Sequence, residues 1–230
     1  LLKELINLNN MKLLFINFIS LVLLACGNQN TQQSVTKPEI ANATPVEVEM
    51  QDGMKKAYFA SGCFWCVEAI YESIEGVDEV ISGYAGGHTK NPTYEESNTG
   101  RTGHAEAVEV IYDPEVVDFK TLVQVFFGSQ NPTQVNGQGP DNGSQYRSIV
   151  FFQTEEQKNI INEVKTEVAK DYQKPLAAEI LPFQKFWVAE DYHQNYEANN
   201  PQNPYIQNVS IPRLNRFKEK FPDILKKDAH

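Results

Sequence analysis

Residues 56–74 read KAYFASGCFWCVEAIYESI, and this stretch decides the fold because its hydrophobic period changes at one glycine. Residues 56–61 form a short, largely apolar run of strand length. After Gly62, apolar side chains recur at helical spacing, at Phe64, Val67, Ile70, Tyr71 and Ile74. The stretch therefore predicts a strand, a tight turn and a helix that begins at or next to Cys63.

Predicted strands and helices alternate beyond this stretch. Further strands are expected at 77–84, 104–112 and 146–152, and helices at 118–127 and 154–172. Later segments suggest short strands within 177–188, a short helix at 191–198 and an amphipathic segment at 212–220. Two long connections, 83–103 and 128–145, have the length of functional loops. The order favours a single α/β (α+β) domain that resembles a ferredoxin-like two-layer plait. Its sheet would be mixed or antiparallel, with the helices on one face and long active-site loops.

The N-terminal part has the composition of a targeting segment. Residues 1–10 precede a plausible start at Met11, and we interpret them as a gene-model extension. The apolar run 13–25 is shorter than the roughly 20 residues that span a bilayer, so residues 1–25 would comprise that extension and a signal peptide. The run ends in Leu23-Leu24-Ala25-Cys26, which resembles the lipobox of bacterial lipoproteins and predicts lipidation of Cys26. An ordinary signal peptide cleaved nearby is the alternative.

The region after Cys26 is polar and rich in Gln, Asn, Thr and Pro. Residues 26–54 are therefore predicted to be the lipidated cysteine and a flexible tether, and the folded domain to occupy 55–230. With a lipid on Cys26, the protein would be anchored to a membrane of the bacterial cell envelope, with its domain outside the cytoplasm.

Charge and cysteine content exclude several classes of function. The chain has 20 Lys and Arg against 30 Asp and Glu, a net charge of −10, and no basic stripe, which argues against nucleic-acid binding. Besides Cys26, the only cysteines are Cys63 and Cys66, a single Cys-x-x-Cys pair. A structural zinc site would need a second pair of ligands at matching spacing. We therefore expect no metal and no cofactor.

Cys63 has the sequence context of a reactive thiol. The unpaired N–H groups and the dipole of a helix N-terminus stabilise a thiolate, and they commonly lower a cysteine pKa from its ordinary value of about 8.5. We therefore predict that Cys63 is a nucleophile. Alternatively, both cysteines are small buried hydrophobic residues, or they form a disulfide that closes too small a loop to add much stability.

Six short motifs, in order, carry a resemblance to a known family. They are Gly62-Cys63-Phe64-Trp65, Gly83-Tyr84-Ala85-Gly86-Gly87, Asn91-Pro92-Thr93-Tyr94, Gly103-His104-Ala105-Glu106, Gln145-Tyr146-Arg147-Ser148 and Ala189-Glu190-Asp191-Tyr192-His193-Gln194. Together, over about residues 57–206, they resemble the A-type peptide methionine sulfoxide reductases. The resemblance implies reduction of methionine S-sulfoxide, in proteins, in peptides or as the free amino acid, and so a role in protein repair under oxidative stress.

The resemblance also implies roles for individual residues. Cys63 would be the nucleophile, Glu106 the acid at the sulfoxide oxygen, and Tyr94 and Tyr146 phenols that bind this oxygen. This agrees with the chemistry, because thiolate attack at sulfur requires the departing oxygen to be protonated or strongly hydrogen-bonded. Since an ionised Glu106 would oppose a thiolate, we expect an apolar setting to keep it protonated.

The pocket walls follow from the same resemblance. Phe64 and Trp65 would hold the substrate methyl group, Asp141 would support the site or contact the substrate backbone, and Tyr196 would lie near the pocket edge. The sequence departs from the family's pattern in two places: Gln130-Asn131-Pro132 replaces a common His-Asp-Pro, and Ser97 replaces an aliphatic residue.

Cys66 is predicted to resolve the oxidised nucleophile. A sulfenic acid condenses readily with a nearby thiol, and Cys66 is within helical reach of Cys63. The family often has its resolving cysteine after an Asn-Pro-Tyr segment, but Ile206 follows Tyr205 here. Thioredoxin or a thioredoxin-like protein would then reduce the Cys63–Cys66 disulfide. Other hypotheses are a thioredoxin-like disulfide oxidoreductase and an envelope module that binds methionine-like side chains without catalysis.

Overall fold

A six-stranded sheet forms the centre of the fold in a computed structural model that describes residues 40–50 and 52–227. Its strands are β1 (Lys55–Ala60), β2 (Val77–Ala85), β3 (Ala105–Tyr112), β6 (Ile149–Phe152), β7 (Glu179–Pro182) and β8 (Phe186–Val188). A separate two-stranded sheet contains β4 (Gly137–Gln138) and β5 (Asp141–Asn142). The large sheet has the order β7-β6-β1-β3-β2-β8. The β6–β7 pair is parallel and the other pairs are antiparallel, so the sheet is mixed.

Within the described residues from Lys55 onward, six α-helices connect or flank the strands: α1 (Phe64–Glu72), α2 (Tyr94–Asn98), α3 (Phe119–Gly128), α4 (Glu155–Ala169), α5 (Tyr196–Asn199) and α6 (Ile211–Lys220). Short 3-10 turns occur at Ser144–Tyr146, Asp191–His193 and Pro222–Ile224, and a π-helical turn at Ile206–Ser210 precedes α6. Among the described residues, no helix has the length and apolar composition needed to cross a bilayer.

Strand β1 shows why the two sides of the sheet differ. Successive strand side chains point to opposite faces. Ala57 and Phe59 belong to the larger apolar cluster, which also contains buried residues of α1, α3 and α4, so these helices cover one face. Tyr58 and Ala60 belong to a smaller cluster on the other face. There Tyr58 stacks on Phe183 with ring centroids 3.8 Å apart.

The segment before β1 also packs on this second face. Ile40 is buried in the smaller cluster, and Val48 packs against it. The Val46 N–H donates to the Phe183 carbonyl at 2.8 Å, and the Val48 N–H donates to Gln153 Oε1 at 2.8 Å. The segment 40–48 thus packs beside the sheet through two apolar side chains, whereas the sequence predicts a flexible tether at 26–54. Residues 26–39 of that tether lie outside the described residues.

The predicted mixed α/β domain is confirmed, and its two long connections contain structure that the sequence pattern did not reveal. The first holds α2, which begins with a capping box: Thr93 Oγ1 accepts from the Glu96 N–H, and the Glu96 carboxylate accepts from the Thr93 N–H. The second holds the β4–β5 hairpin and the 3-10 turn at Ser144–Tyr146. Both connections therefore present residues in fixed positions.

Glu68 of α1 is a buried carboxyl group, only 1% exposed. Its Oε1 accepts from the Asn195 N–H at 2.8 Å, and its Oε2 accepts from Ser82 Oγ at 3.0 Å. Burial outweighs these hydrogen bonds and raises the pKa of Glu68 to about 7. The folded protein therefore keeps a proton on Glu68 at pH values at which the unfolded chain has lost it.

We expect Glu68→Gln to weaken the pH dependence of stability. Between the ordinary value of 4.5 and about 7, the folded state binds more protons than the unfolded state at this site. The stability from protonated Glu68 is therefore fully present below pH 4.5 and is lost as pH rises through about 7. The loss is on the order of 1–3 kcal/mol. Urea unfolding at pH 5 to 8 measures it, and equal pH slopes for variant and wild type would contradict the assignment.

Candidate active site

Cys63 lies at the turn between β1 and α1, as the residue immediately before the helix. The turn requires Gly62, because its φ is +87° and an added Cβ would lie 2.6 Å from Gln138 Cβ. Cys63 is 6% exposed and carries a free thiol, as does Cys66 one turn later. Gly62 thus allows the chain to turn after β1, so that Cys63 is buried at the N-terminus of α1.

Glu106 of β3 is the carboxyl group next to this turn. Its Oε2 accepts a hydrogen bond of 3.0 Å from the backbone N–H of Phe64, the residue after Cys63. Glu106 is 2% exposed, and burial raises its pKa to about 8. At neutral pH the carboxyl group of Glu106 is therefore mostly protonated.

The two cysteines interact directly, and their environments differ. Their thiol groups are close enough to share a hydrogen bond. Burial raises the pKa of Cys63 well above its ordinary value, and the neighbouring Cys66 raises it further. The hydrogen bond from Cys63 lowers the pKa of Cys66, and so do Arg213 and the Tyr205 hydroxyl. Desolvation at this buried turn therefore opposes the effect of the helix N-terminus on the Cys63 thiol.

The two residues after Cys63 belong to a group of aromatic rings that pack against one another. Phe64 is fully buried, with its ring centroid 4.9 Å from His193 and 6.3 Å from Tyr94. Trp65 is partly exposed, and its indole Nε1–H donates to His193 Nδ1 at 3.1 Å. The hydrogen bond to His193 fixes the orientation of the Trp65 ring plane. Phe64 is the more deeply buried of the two rings.

Tyr196 supports Trp65 from outside. The two rings stack with centroids 3.8 Å apart and an interplanar angle of 9°. The Tyr196 hydroxyl accepts from Asn203 Nδ2 at 3.2 Å. Tyr196 thus contacts Trp65, whereas Tyr94 and Tyr146 interact with Glu106.

Tyr94 and Tyr146 come from the two long connections. Tyr94 is the first residue of α2, where its N–H donates to Glu190 Oε1 at 2.9 Å. Tyr146 ends a 3-10 turn, and its hydroxyl donates to Asn98 Oδ1 at 3.5 Å. Burial raises the pKa of both phenols, and the nearby Glu106 raises each further. Both hydroxyl groups therefore stay protonated and can donate hydrogen bonds near the Glu106 carboxyl group.

Asp141 and Tyr205 close the site on the Cys66 side. The Tyr205 hydroxyl donates to Asp141 Oδ2 at 2.6 Å and lies 3.7 Å from Cys66 Sγ. The Tyr205 ring meets the edge of Trp65 with centroids 5.9 Å apart. The sequence interpretation assigned no role to Tyr205, although the Asn203-Pro204-Tyr205 segment was the available signal.

Gln130, in one of the two places where the sequence departs from the family's pattern, has a supporting contact. Its Oε1 accepts from Ser148 Oγ at 2.6 Å and from Gln138 Nε2 at 3.1 Å. Because Gln138 packs over Gly62, this amide links the second long connection to the Cys63 turn.

The structure thus brings together most of the predicted site residues: Cys63, Phe64, Trp65, Cys66, Tyr94, Glu106, Asp141 and Tyr146. Tyr196 reaches this group only through Trp65, and Cys26 lies outside the described residues. Across residues 40–50 and 52–227, no group of three or more His, Cys, Asp or Glu side chains is arranged to hold a metal ion. A buried thiol pair beside a neutral carboxyl group and two phenols can attack a polarised centre and protonate a departing oxygen.

Comparison with known proteins gives a consistent result. The sequence model of the family described as peptide methionine sulfoxide reductase matches residues 55–225. The chain is 46% identical over 172 residues to the peptide methionine sulfoxide reductase MsrA of Pasteurella multocida, covering 75% of this chain and 99% of that protein.

Solved structures agree with the sequence comparison. Reduced Mxr1 from Saccharomyces cerevisiae aligns with a TM-score of 0.62 and 32% identity, over 68% of this chain and 91% of the other. Methionine sulfoxide reductase A of Corynebacterium diphtheriae aligns with a TM-score of 0.59 and 35% identity, over 70% and 83% of the two chains.

Proposed function

The chain belongs to the peptide methionine sulfoxide reductase family and reduces methionine S-sulfoxide to methionine in protein repair, and we propose that Cys63, Glu106 and Cys66 carry out the reaction. The observation that carries this assignment is the 3.0 Å hydrogen bond from the Phe64 N–H to Glu106. It holds a carboxyl group beside Cys63, and burial keeps that group protonated at neutral pH.

The first step transfers oxygen from substrate to enzyme. The methyl group of the substrate packs on Phe64 and Trp65. The sulfoxide oxygen faces Glu106 and the phenols of Tyr94 and Tyr146. Cys63 sulfur attacks the sulfoxide sulfur, and the thiol proton of Cys63 passes to Cys66, with which it shares a hydrogen bond. The attack of Cys63 forms an S–S bond to the substrate, and Glu106 protonates the oxygen as the S–O bond breaks. The released hydroxide then attacks Cys63 sulfur and displaces the methionine sulfur, so that the S–S bond breaks. The products are methionine and a Cys63 sulfenic acid.

The second step forms a disulfide. Cys66 sulfur attacks the Cys63 sulfenic acid, the S–O bond breaks, and the departing hydroxide takes a proton to leave as water. The two cysteine sulfurs have then lost two electrons, which the sulfoxide sulfur gained. The hydrogen bond between the two thiol groups supports Cys66 in this role.

Mass spectrometry after one equivalent of substrate, without reductant, tests this scheme. We expect the wild type to lose two hydrogen atoms and to protect Cys63 and Cys66 from alkylation. The Cys66→Ser variant should release one equivalent of methionine and keep a sulfenic acid on Cys63 that reacts with dimedone. A stable sulfenic acid in the wild type, with no disulfide, would refute the resolving role of Cys66.

Thioredoxin or a thioredoxin-like protein is the reductant that this scheme requires, because each turnover consumes one dithiol. The rate at which NADPH is oxidised in the presence of the sulfoxide substrate, thioredoxin and thioredoxin reductase measures reduction of the Cys63–Cys66 disulfide by thioredoxin. Steady turnover with glutathione and none with thioredoxin would exclude it.

The inner part of the sheet supports the finer description of the fold as a ferredoxin-like plait. Its four strands have the order β6-β1-β3-β2, all neighbours are antiparallel, and α1 and α3 contribute to the cluster on one face. Strands β7 and β8 extend this unit at its two edges.

A lipid on Cys26 would hold the domain at a membrane of the cell envelope. The sequence Leu23-Leu24-Ala25-Cys26 after an apolar run supports this proposal. Cells fed labelled palmitate should incorporate the label into the wild type but not into Cys26→Ala. An unlabelled wild-type protein would contradict the anchor.

A further inference from the structure

Arg213 of α6 is a buried cation next to the dithiol. It is 7% exposed, and it lies under the turn before Cys63, where its Nη1 would be 3.5 Å from a Cβ on Gly62. Its Nη1 donates to the Ser61 carbonyl at 2.9 Å, and its Nη2 donates to Ser61 Oγ at 3.1 Å. Its Nε donates to the Ser129 carbonyl at 2.9 Å. All three partners are neutral.

No salt bridge joins Arg213 to a carboxylate within residues 40–50 and 52–227. A buried charge without an opposite charge is costly, so a nearby negative charge is expected to compensate it. Cys66 and Asp141 are the candidates, because both line the same cavity of about 330 Å³ as Arg213 and the charge of Arg213 acts to lower the pKa of both. Tyr205 lines this cavity as well.

We propose that Arg213 is a positioning residue that keeps the negative charge of the dithiol on Cys66, so that Cys66 attacks the Cys63 sulfenic acid as a thiolate. This inference rests on the proposed resolving role of Cys66. This role gives a reason for burying a guanidinium group here, since neutral hydrogen-bond donors could also bind the carbonyl groups of Ser61 and Ser129.

The charges around Cys66 favour this division. Arg213 and the exposed Arg216, which also lines the cavity, are positive. Glu106, from β3, is mostly neutral below its pKa of about 8. Asp141, from β5, opposes a thiolate when it is ionised, but the Tyr205 hydroxyl donates to it. The hydrogen bond from Cys63 lowers the pKa of Cys66 most and Arg213 lowers it as well, whereas burial raises the pKa of Cys63.

Protons balance along this route. After oxygen transfer, Cys66 holds the proton from Cys63 and Glu106 is ionised. Since the pKa of Glu106 is about 8 and that of Cys66 is lowered, this proton moves to Glu106. Cys66 then attacks as a thiolate and forms the S–S bond. Glu106 protonates the departing hydroxide, which leaves as water, and the Glu106 carboxylate regains a proton from solvent.

The pH dependence of Cys66 alkylation tests this proposal. The chain should carry Cys63→Ser, which leaves Cys66 as the thiol that iodoacetamide can label at this site and keeps a hydroxyl group that can donate to it in place of the Cys63 thiol. Peptide mass spectrometry follows the labelling of Cys66. With Arg213 present, we expect the midpoint to lie below the ordinary cysteine pKa of about 8.5. In Arg213→Met it should rise by about one pH unit or more, which is about a tenfold loss of thiolate near neutral pH.

Two variants separate charge from structure. Arg213→Lys keeps the charge but loses part of the hydrogen bonding, so it should keep a low midpoint. Arg216→Met removes an exposed, solvent-screened charge from the same cavity and should shift the midpoint little. If Arg213→Met does not fold, the alkylation midpoints of the Cys63→Ser parent, Arg213→Lys and Arg216→Met still test the proposal. A midpoint at or above about 8.5 with Arg213 intact would overturn the proposal.

A failure of this inference can be told apart from a failure of Cys66 as the resolving residue. A normal Cys63–Cys66 disulfide with equal alkylation midpoints in Arg213→Met and its parent would overturn the role of Arg213 alone. A second outcome is an alkylation midpoint that shifts in Arg213→Met, together with no disulfide in the enzyme that retains both cysteines. It would support the negative charge on Cys66 and overturn the part of the proposal in which Cys66 attacks the sulfenic acid.

Discussion

Cys63→Ser is expected to abolish reduction of methionine S-sulfoxide, with a loss of kcat/KM of about 10⁴-fold or more. A serine hydroxyl does not ionise at neutral pH, and its oxygen cannot form the sulfenic acid that accepts the substrate oxygen. The fold should survive, because Cys63 is small and no side-chain cap of α1 depends on it. Initial rates with dithiothreitol as reductant measure the effect.

Cys66→Ser is the matched control for this variant. It removes a thiol one turn further along the same helix, and in the absence of reductant it should still reduce about one equivalent of sulfoxide. Thermal unfolding of both variants shows whether either loss is structural. If Cys63→Ser keeps the burst of methionine that Cys66→Ser shows, Cys63 is not the nucleophile.

Glu106→Gln should reduce kcat by about 10²–10⁴-fold, with a smaller change in KM. Glutamine can still accept the Phe64 N–H through its carbonyl oxygen and can hydrogen-bond the sulfoxide, but it cannot give up a proton. The residue is buried and neutral in the wild type, so the substitution leaves no buried charge unpaired. Steady-state kinetics at pH 7 separate kcat from KM, and wild-type turnover in the variant would contradict the assignment.

The pH profile gives a second test of Glu106. Its raised pKa means that the active, protonated form is complete well below pH 8 and is lost as pH rises through about 8. Single-turnover sulfoxide reduction by the wild type should therefore decline on the alkaline side of about pH 8. Glu106→Gln should lack this decline. A wild-type rate that keeps rising from pH 7 to 10 would show that Glu106 does not supply the proton.

Local sequence patterns predicted the framework well. The change of period at Gly62 predicted β1, the turn and α1 within two residues of their bounds. It could do so because strand and helix periods are properties of neighbouring residues. The hydrogen bond between Phe64 and Glu106 joins residues 42 positions apart. The residues of the two long connections were identified only through the family resemblance, since loops of that length carry no periodic signal.

The electrostatics of the dithiol depend on tertiary packing that the sequence pattern does not contain. A helix N-terminus predicted a low pKa for Cys63, but the depth of its burial follows from Gln138, Phe64 and the surrounding rings. Arg213 lies 147 positions after Cys66 in the sequence. The sequence pattern predicted an amphipathic segment at 212–220, and nothing in that pattern indicated that this cation would be buried beside the reactive turn.

The stereospecific reduction of methionine sulfoxide is the most direct test of the account. A mixture of dabsylated methionine S-sulfoxide and R-sulfoxide would be incubated with the protein and dithiothreitol and then separated by liquid chromatography. We expect the S-sulfoxide to be converted to dabsyl-methionine and the R-sulfoxide to remain, because one enzyme serves each epimer. Loss of neither epimer, or of the R-sulfoxide alone, would contradict the assigned function.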